Sequence, residues 1–546
     1  MQNQQVYSGA FASSTKIDRA VCIATILVGC AAAIFWWWSR QGLWEDEIIA
    51  ITHANQPLPL FFVEVLRNDI HPPLYFFQLK LWQDLGFQSD RGILVNSLVW
   101  ALISLCALFY MTKSVYGEKA AWYATAIYAI FPIFAYSAAN LRMYCMVPAM
   151  AVLVWYSNYR WFESACNKWL VISILAELAL AYLHAIEFYF VAFIAAAALA
   201  EALFQHRLEK HDSAQKNHAV VRKWLFWQAA CAVLILPLIG SAIVRGSDAS
   251  APALGLSMLL EPGALVAGWS PSSILPLRIA GLVIFCILAV LALGAPSSRL
   301  RTIIIPIGAL AVAIAVSMLA KPMLKIPVFA ANLLPFLAMG AGVGAALSPR
   351  FWVRSALYGC LALLCAASFP LVLYQLSSSA YKDSGRYLAA NAQPGDIVLI
   401  PNVSVYWGIL RYAVGPRWGK PLEVMPLQPN PQWAGLTARL GPAVTEMLGL
   451  RPETDTVTHK GVRYTIGEDA RKATGDAKKI WVVHRNGYLV DVELGGPFVR
   501  KSMVRIGAGD LVISSFESDP AGKPIARHPL RLGNDAAMKI EQAAAP

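Results

Sequence analysis

Two short blocks near the start of the chain keep acids where an apolar sequence has little reason to hold them. LWEDE at 43–47 sets Glu45, Asp46 and Glu47 in a row, and DIHPPLY at 69–75 places Asp69 and His71 ahead of Pro72-Pro73. A carboxylate so placed can take a proton from an acceptor hydroxyl as a general base. Further polar groups recur where apolar runs begin or end: Arg142 with Tyr144 in ANLRMYCM, His184 with Glu187 in YLHAIEFYF, and Lys321 with Lys325 in KPMLKIPVF. Cations of this kind stabilise the negative charge that gathers on a departing phosphate. Acids and cations lining one cavity therefore suit transfer of a group from a phosphate to a hydroxyl. Mg or Mn could bind the acids, whereas Arg and Lys alone can carry the phosphate charge, so both readings of the cofactor stay open.

Each group also has a structural explanation. Acids open helices for capping and dipole reasons, and Pro72-Pro73 suits a first helical turn that Asp69 would cap. A histidine at the end of a span is more often an interfacial or packing residue than a catalyst. Ionisable groups near membrane depth, however, usually face a polar cavity or a partner.

The elements that must position these groups are membrane spans. Of 546 residues, 57% are hydrophobic and 14% charged, and the mean hydropathy is +0.51, far from the balance of a soluble globular protein. Apolar runs of spanning length recur at 20–38, 92–112, 119–137, 141–158, 168–183, 185–204, 223–243, 274–294, 302–320, 327–347 and 352–374. The chain thus reads as a polytopic α-helical membrane protein of about eleven spans. With the N-terminus inside, Lys113, Lys119, Arg160, Lys168, Arg207, Lys210, Lys216, Arg222, Lys223, Arg299, Arg301, Arg350 and Arg354 all fall in cytoplasmic loops. The net charge of +12 is therefore a topological signal rather than a nucleic-acid footprint. An odd number of spans places the chain's end on the same outer side as the acids. The apolar stretch 251–269 is split by Glu261-Pro262-Gly263 and reads as an interfacial helix, since a span there would turn the later basic loops outward.

Lys16 and Arg19 precede the first run, and LVGC at 27–30 resembles a lipoprotein cleavage site. Cleavage at Cys30 would bisect the span that delivers the acidic loop, so a retained span is expected. The nine cysteines are scattered without a CxxC pair, which suggests small buried residues rather than a zinc site or disulfide framework. The organisation that follows is a transmembrane domain over 1–374, whose first outer loop at 39–91 holds amphipathic surface helices, and a soluble α/β domain over 375–546. Within the latter, YKDSGRYLAANA reads as a helix, Pro394-Gly395-Asp396 as a turn, and DIVLI, VRYTI, KIWVVH and LVISSF as strands. It contains no phosphate loop or dinucleotide fingerprint, so acceptor recognition and simple covering of a cavity are both open as its role.

Taken in order, LWEDE, DIHPPLYFFQLKLW, LRMY and a later span-end histidine resemble the GT-C glycosyltransferases of the protein O-mannosyltransferase and lipid A aminoarabinose transferase group. The resemblance is best over roughly the first two hundred residues. It implies a GT-C fold and an inverting transferase using a polyprenyl-phosphate sugar on the periplasmic face of a bacterial inner membrane, with a glycolipid, polysaccharide or protein acceptor. Carried over position by position, Asp46 matches the expected general base and Glu47 its companion. Asp69 and His71 match the second acidic block lining the donor or acceptor site, and Arg142 and Tyr144 match the motif facing the donor phosphate. The chain departs from the pattern at Asn140, at Ala185 and at Ala331-Asn332, where a late RY element is replaced; Lys321 or Lys325 would serve the phosphate instead.

A transporter or flippase of lipid-linked sugars is the alternative. Transporters tend to show internal repeats and ionisable groups near mid-membrane. This chain shows no convincing repeat and keeps its acids in a long outer loop, which favours a surface reaction.

Overall fold

A helix crosses the hydrocarbon layer only if about 20 residues in a row satisfy their own backbone and face lipid with apolar side chains. The computed structural model describes residues 16–55, 71–184, 187–208, 214–245, 275–293, 326–347, 380–400, 403–415, 456–460, 462–465, 479–485, 498–506 and 511–518, with single positions between them. These form two units: residues 1–40, 69–87 and 91–376 make the first, and residues 41–68, 88–90 and 377–546 the second.

The first unit is helical. It contains α1 (Lys16–Ser39), α3 (Leu74–Asp84), α4 (Asp90–Tyr116, of which Asp90 belongs to the second unit), α5 (Glu118–Ala129) and α6 (Pro132–Ala138). After a short 3-10 turn at Met143–Cys145 come α7 (Val147–Ser164), α8 (Asn167–Leu183), α9 (Glu187–Leu208), α10 (Ala214–Arg245), α11 (Leu275–Leu293) and α12 (Ile326–Leu347). Among the described residues, α1, α4 and the stretch 218–238 of α10 are long and apolar enough to cross a membrane, and the α5–α6 pair adds a fourth if counted as one span. That pair corrects the expectation of one straight helix over 119–137. Phe131 is extended at ψ 132°, Pro132 has no N–H to give to the preceding turn, and the two pieces meet at a bend of 70°. The expected spans at 302–320 and 352–374 and the interfacial stretch 251–269 lie outside the described residues, apart from positions 266, 359, 363, 366 and 367.

Between spans there is no water to expel, so close backbone approach through small residues does much of the packing. Helix α12 packs on both α5 and α11, and a Cβ built on Gly342 would lie 2.5 Å from the backbone nitrogen of Ala124. Gly342→Val is expected to overpack this contact by about 1–3 kcal/mol. In detergent its thermal transition should fall by several degrees, while Gly359→Ala, which meets nothing within 4 Å, leaves the transition in place.

The second unit begins with α2 (Glu45–Ala54) and continues with α13 (Ala380–Asn391), β1 (Ile397–Leu399), α14 (Val403–Ala413), β2 (Thr456–His459), β3 (Val462–Thr465), β4 (Lys479–Arg485), β5 (Phe498–Ile506) and β6 (Leu511–Ser518). The strands form a mixed sheet in the order β2-β3-β1-β4-β6-β5, with β1 parallel to both neighbours and the outer pairings antiparallel. All three residues of β1 are buried, as a central parallel strand requires, and Ile397, Leu399, Ile480, Val482 and Phe516 pack as one cluster. The turn before β1 depends on Gly395, whose φ of +95° suits glycine, and on Asp396, whose Oδ2 accepts from the Gln393 N–H at 2.9 Å and from the Trp481 indole at 2.8 Å. Strands β1, β3, β4 and β6 and helix α13 fall where the sequence pattern puts them. Strands β2 and β5 and helix α14 were not among the expected elements.

Candidate active site

Four of the expected site residues meet in the first unit, each at a break between helices. His71 stands just before Pro72-Pro73 and α3; Arg142 is extended (φ −140°, ψ 161°) at the mouth of the 3-10 turn that carries Tyr144; His184 is extended (φ −150°, ψ 136°) where α8 stops. Irregular backbone at membrane depth survives only where protein or a polar cavity satisfies it. Here the backbone is tied locally: the Ser97 hydroxyl donates to the Asn140 carbonyl at 2.8 Å, and the Arg142 N–H donates to the same carbonyl, also at 2.8 Å.

Arg142 Nη2 lies 2.9 Å from His71 Nε2. A guanidinium only donates, so Nε2 accepts, and the ring is the neutral tautomer with its proton on Nδ1. The arginine keeps its charge at any physiological pH. The His71 ring packs on His184 with centroids 4.6 Å apart, and Tyr144 follows at 6.1 Å from His184. Arg142, His71 and His184 are buried and Tyr144 is half-buried. The cluster thus offers a fixed cation, a ring N–H and a phenol, a donor-rich set that suits an anion such as a phosphate.

The acids of LWEDE lie in the second unit, on α2. Glu47 is fully buried, and its Oε2 accepts the backbone N–H of Trp44 at 3.0 Å, so this carboxylate caps its own helix. Asp46 and Glu45 are half-buried. The chain entering α2 is clamped from the far end of the sequence. The Leu43 N–H donates to the Tyr412 hydroxyl at 2.9 Å, Tyr412 donates to Asp90 Oδ2 at 2.9 Å, and Arg411 donates to Asp90 Oδ1 through Nη2 at 2.7 Å and Nε at 3.1 Å. Lys382 Nζ donates to the Gln41 carbonyl. Burial, joined by the charge of Asp90, pushes the Tyr412 phenol well above its usual pKa, so it stays a donor. Arg411→Met would leave Asp90 without its guanidinium partner, and we expect a loss of about 3–5 kcal/mol. Limited proteolysis would register it as earlier cleavage around residues 40–45 and 380–415.

Asp69, Lys321 and Lys325 lie outside the described residues. Among the described residues, no group of three His, Cys, Asp or Glu side chains is placed to hold a metal ion. Two further buried polar arrangements lie in the first unit. Glu177 accepts from Asn158 (2.9 Å), Ser173 (2.8 Å) and Gln228 (2.9 and 3.0 Å), while Trp224 donates to Asn158 at 2.7 Å. This carboxylate is well supplied with donors and ties α7, α8 and α10 together. The other pairs Glu187, at the start of α9, with Asn332 of α12, the amide Nδ2 donating to Glu187 Oε1 at 3.0 Å. An acid opening an apolar span was the only sequence signal for it.

Residues 70–238 match the family profile described as dolichyl-phosphate-mannose-protein mannosyltransferase, a segment that contains His71, Arg142, Tyr144 and His184. No curated protein matches the chain in sequence. In structure the chain is similar to ArnT from Cupriavidus metallidurans in the apo state, with a TM-score of 0.50 at 12% identity over 91% of this chain and 97% of that one. It is similar also to the same protein bound to undecaprenyl phosphate, with a TM-score of 0.52 at 12% identity over 90% and 97%. At such low identity the likeness concerns the fold. The resemblance drawn from DIHPPLY and LRMY is borne out over the matched residues 70–238; LWEDE lies before that segment.

Proposed function

We propose that this chain, a membrane glycosyltransferase of the GT-C group, moves a sugar from a polyprenyl-phosphate donor to an acceptor hydroxyl or phosphate, with inversion, on the periplasmic face of the inner membrane. The observation that carries this reading is the buried Arg142–His71 pair, with His184 and Tyr144 beside it, inside the family-matched segment. Asp46 takes the proton from the acceptor as its oxygen attacks the anomeric carbon. The bond from that carbon to the phosphate oxygen breaks, and polyprenyl phosphate leaves with the electron pair. Arg142 and the Nδ1–H of neutral His71 stabilise the charge that develops there. A phosphate is a good enough leaving group that no general acid is required. Tyr144 and His184 shape the same donor pocket, Asp69 lines the donor or acceptor side, and Lys321 and Lys325 add positive charge.

In this reading the membrane part, residues 1–374, has about eleven spans, and the C-terminal α/β domain at 375–546 faces the periplasm with the acidic loop. An outer compartment holds no nucleotide sugars, so an activated donor must arrive anchored in the membrane. Proteoliposomes loaded with undecaprenyl-phosphate sugars and a cell-envelope glycolipid and polysaccharide extract test the proposal. The expected product is free undecaprenyl phosphate, formed together with a glycosylated acceptor. Movement of intact sugar lipid across the bilayer without cleavage would overturn it in favour of a flippase.

A further inference from the structure

Glu187 and Asn332 are both fully buried. Their mutual hydrogen bond uses Glu187 Oε1 and Asn332 Nδ2, which leaves Glu187 Oε2 and Asn332 Oδ1 as two side-chain acceptors with no hydrogen-bond donor among the described residues. A carboxylate oxygen held so deep without a donor is costly, all the more in a membrane protein. Elsewhere this chain does supply donors to such a group, as Asn158, Ser173 and Gln228 do for Glu177. The contrast marks the two remaining acceptors of the Glu187–Asn332 pair as ones a ligand can serve.

Its place says which ligand. The Glu187 N–H donates to the His184 carbonyl at 2.9 Å, so the pair begins within one turn of the ring that packs on His71. Asn332 sits on α12, which packs against the turn carrying Tyr144. Two acceptor oxygens on one hydrogen-bonded pair match neighbouring hydroxyls, each of which gives one O–H. They are too few to replace the six or more oxygens a divalent cation takes. We infer that Glu187 and Asn332 bind hydroxyls of the donor's sugar ring and so determine which sugar the enzyme accepts. This rests on the lipid-linked donor proposed above and goes beyond it by naming the side chains that read the sugar.

The test uses full-length protein in lipid nanodiscs, as wild type, Glu187→Ala, Asn332→Ala and the volume-conserving Glu187→Gln. Binding of bare undecaprenyl phosphate is compared with binding of undecaprenyl-phosphate-linked glucose, mannose, galactose and 4-amino-4-deoxyarabinose. Wild type should bind at least one sugar lipid about tenfold tighter than the bare lipid. Both alanine variants should lose that margin yet keep their affinity for the bare lipid, which also reports an intact fold. If an alanine variant fails to bind the bare lipid, Glu187→Gln decides: a reduced margin supports the assignment and a full margin overturns it. Undiminished margins in the variants, or no margin in wild type, overturn the inference while the donor reading survives. Failure of wild type to bind any of these lipids overturns both.

Discussion

Asp46→Asn is expected to lower turnover by about 10²–10⁴-fold while leaving KM for the lipid donor nearly unchanged. The amide keeps the size of the carboxylate and one acceptor oxygen, so binding of the acceptor hydroxyl survives and proton removal does not. Glu47→Gln is the informative companion. Glu47 receives the Trp44 N–H at the start of α2, and glutamine keeps an acceptor for it, so this variant should hold both its helix cap and most of its turnover. Equal kinetic losses in the two variants would overturn the choice of Asp46 as base.

Arg142→Met carries the second large effect, a fall in kcat/KM of about 10²–10³-fold, the scale of removing one donor aimed at charge that develops in the transition state. The loss compounds two things. The phosphate forfeits a permanent cation, and His71 loses the donor that fixes its tautomer at 2.9 Å. Arg142→Lys restores the charge without the planar fork and should recover only part of the rate. His71→Gln can still accept from the arginine and should be the milder change. Affinity for undecaprenyl phosphate, measured separately from turnover, should fall in Arg142→Met and hold in Asp46→Asn. The reverse pattern would exchange the roles given to the two residues.

Much of the helical frame was legible because long apolar runs have few other uses, and α1, α4, α8 and α11 end within a few residues of the expected bounds. The α5–α6 bend was legible in principle at Pro132, yet hydropathy averages over it. In the second unit the continuous apolar runs of DIVLI and KIWVVH marked β1 and β4. By contrast β5, FVRKSMVRI, carries three basic residues and reads as too polar, and it is held by eight residue pairings with β6 rather than by its own composition. At the site, residue types pointed to His71, Arg142, Tyr144 and His184, whereas the pairing of Glu187 with Asn332 spans 145 positions of sequence and leaves no local mark. Spacing could not divide the acids of LWEDE either. It took the backbone N–H of Trp44 to show that Glu47 is engaged in capping.

The clamp on α2 bears on when the protein can begin to work. A helix of ten residues is too short to hold its shape in isolation, and its entry strand is fixed by Tyr412 and Lys382, which leave the ribosome more than three hundred residues later. Asp46 therefore acquires a settled position only once residues 382 and 412 have been made and have reached the entry to α2. If Asp46 is the base proposed above, a chain cut short before these residues keeps the Arg142–His71 pair and lacks an ordered base.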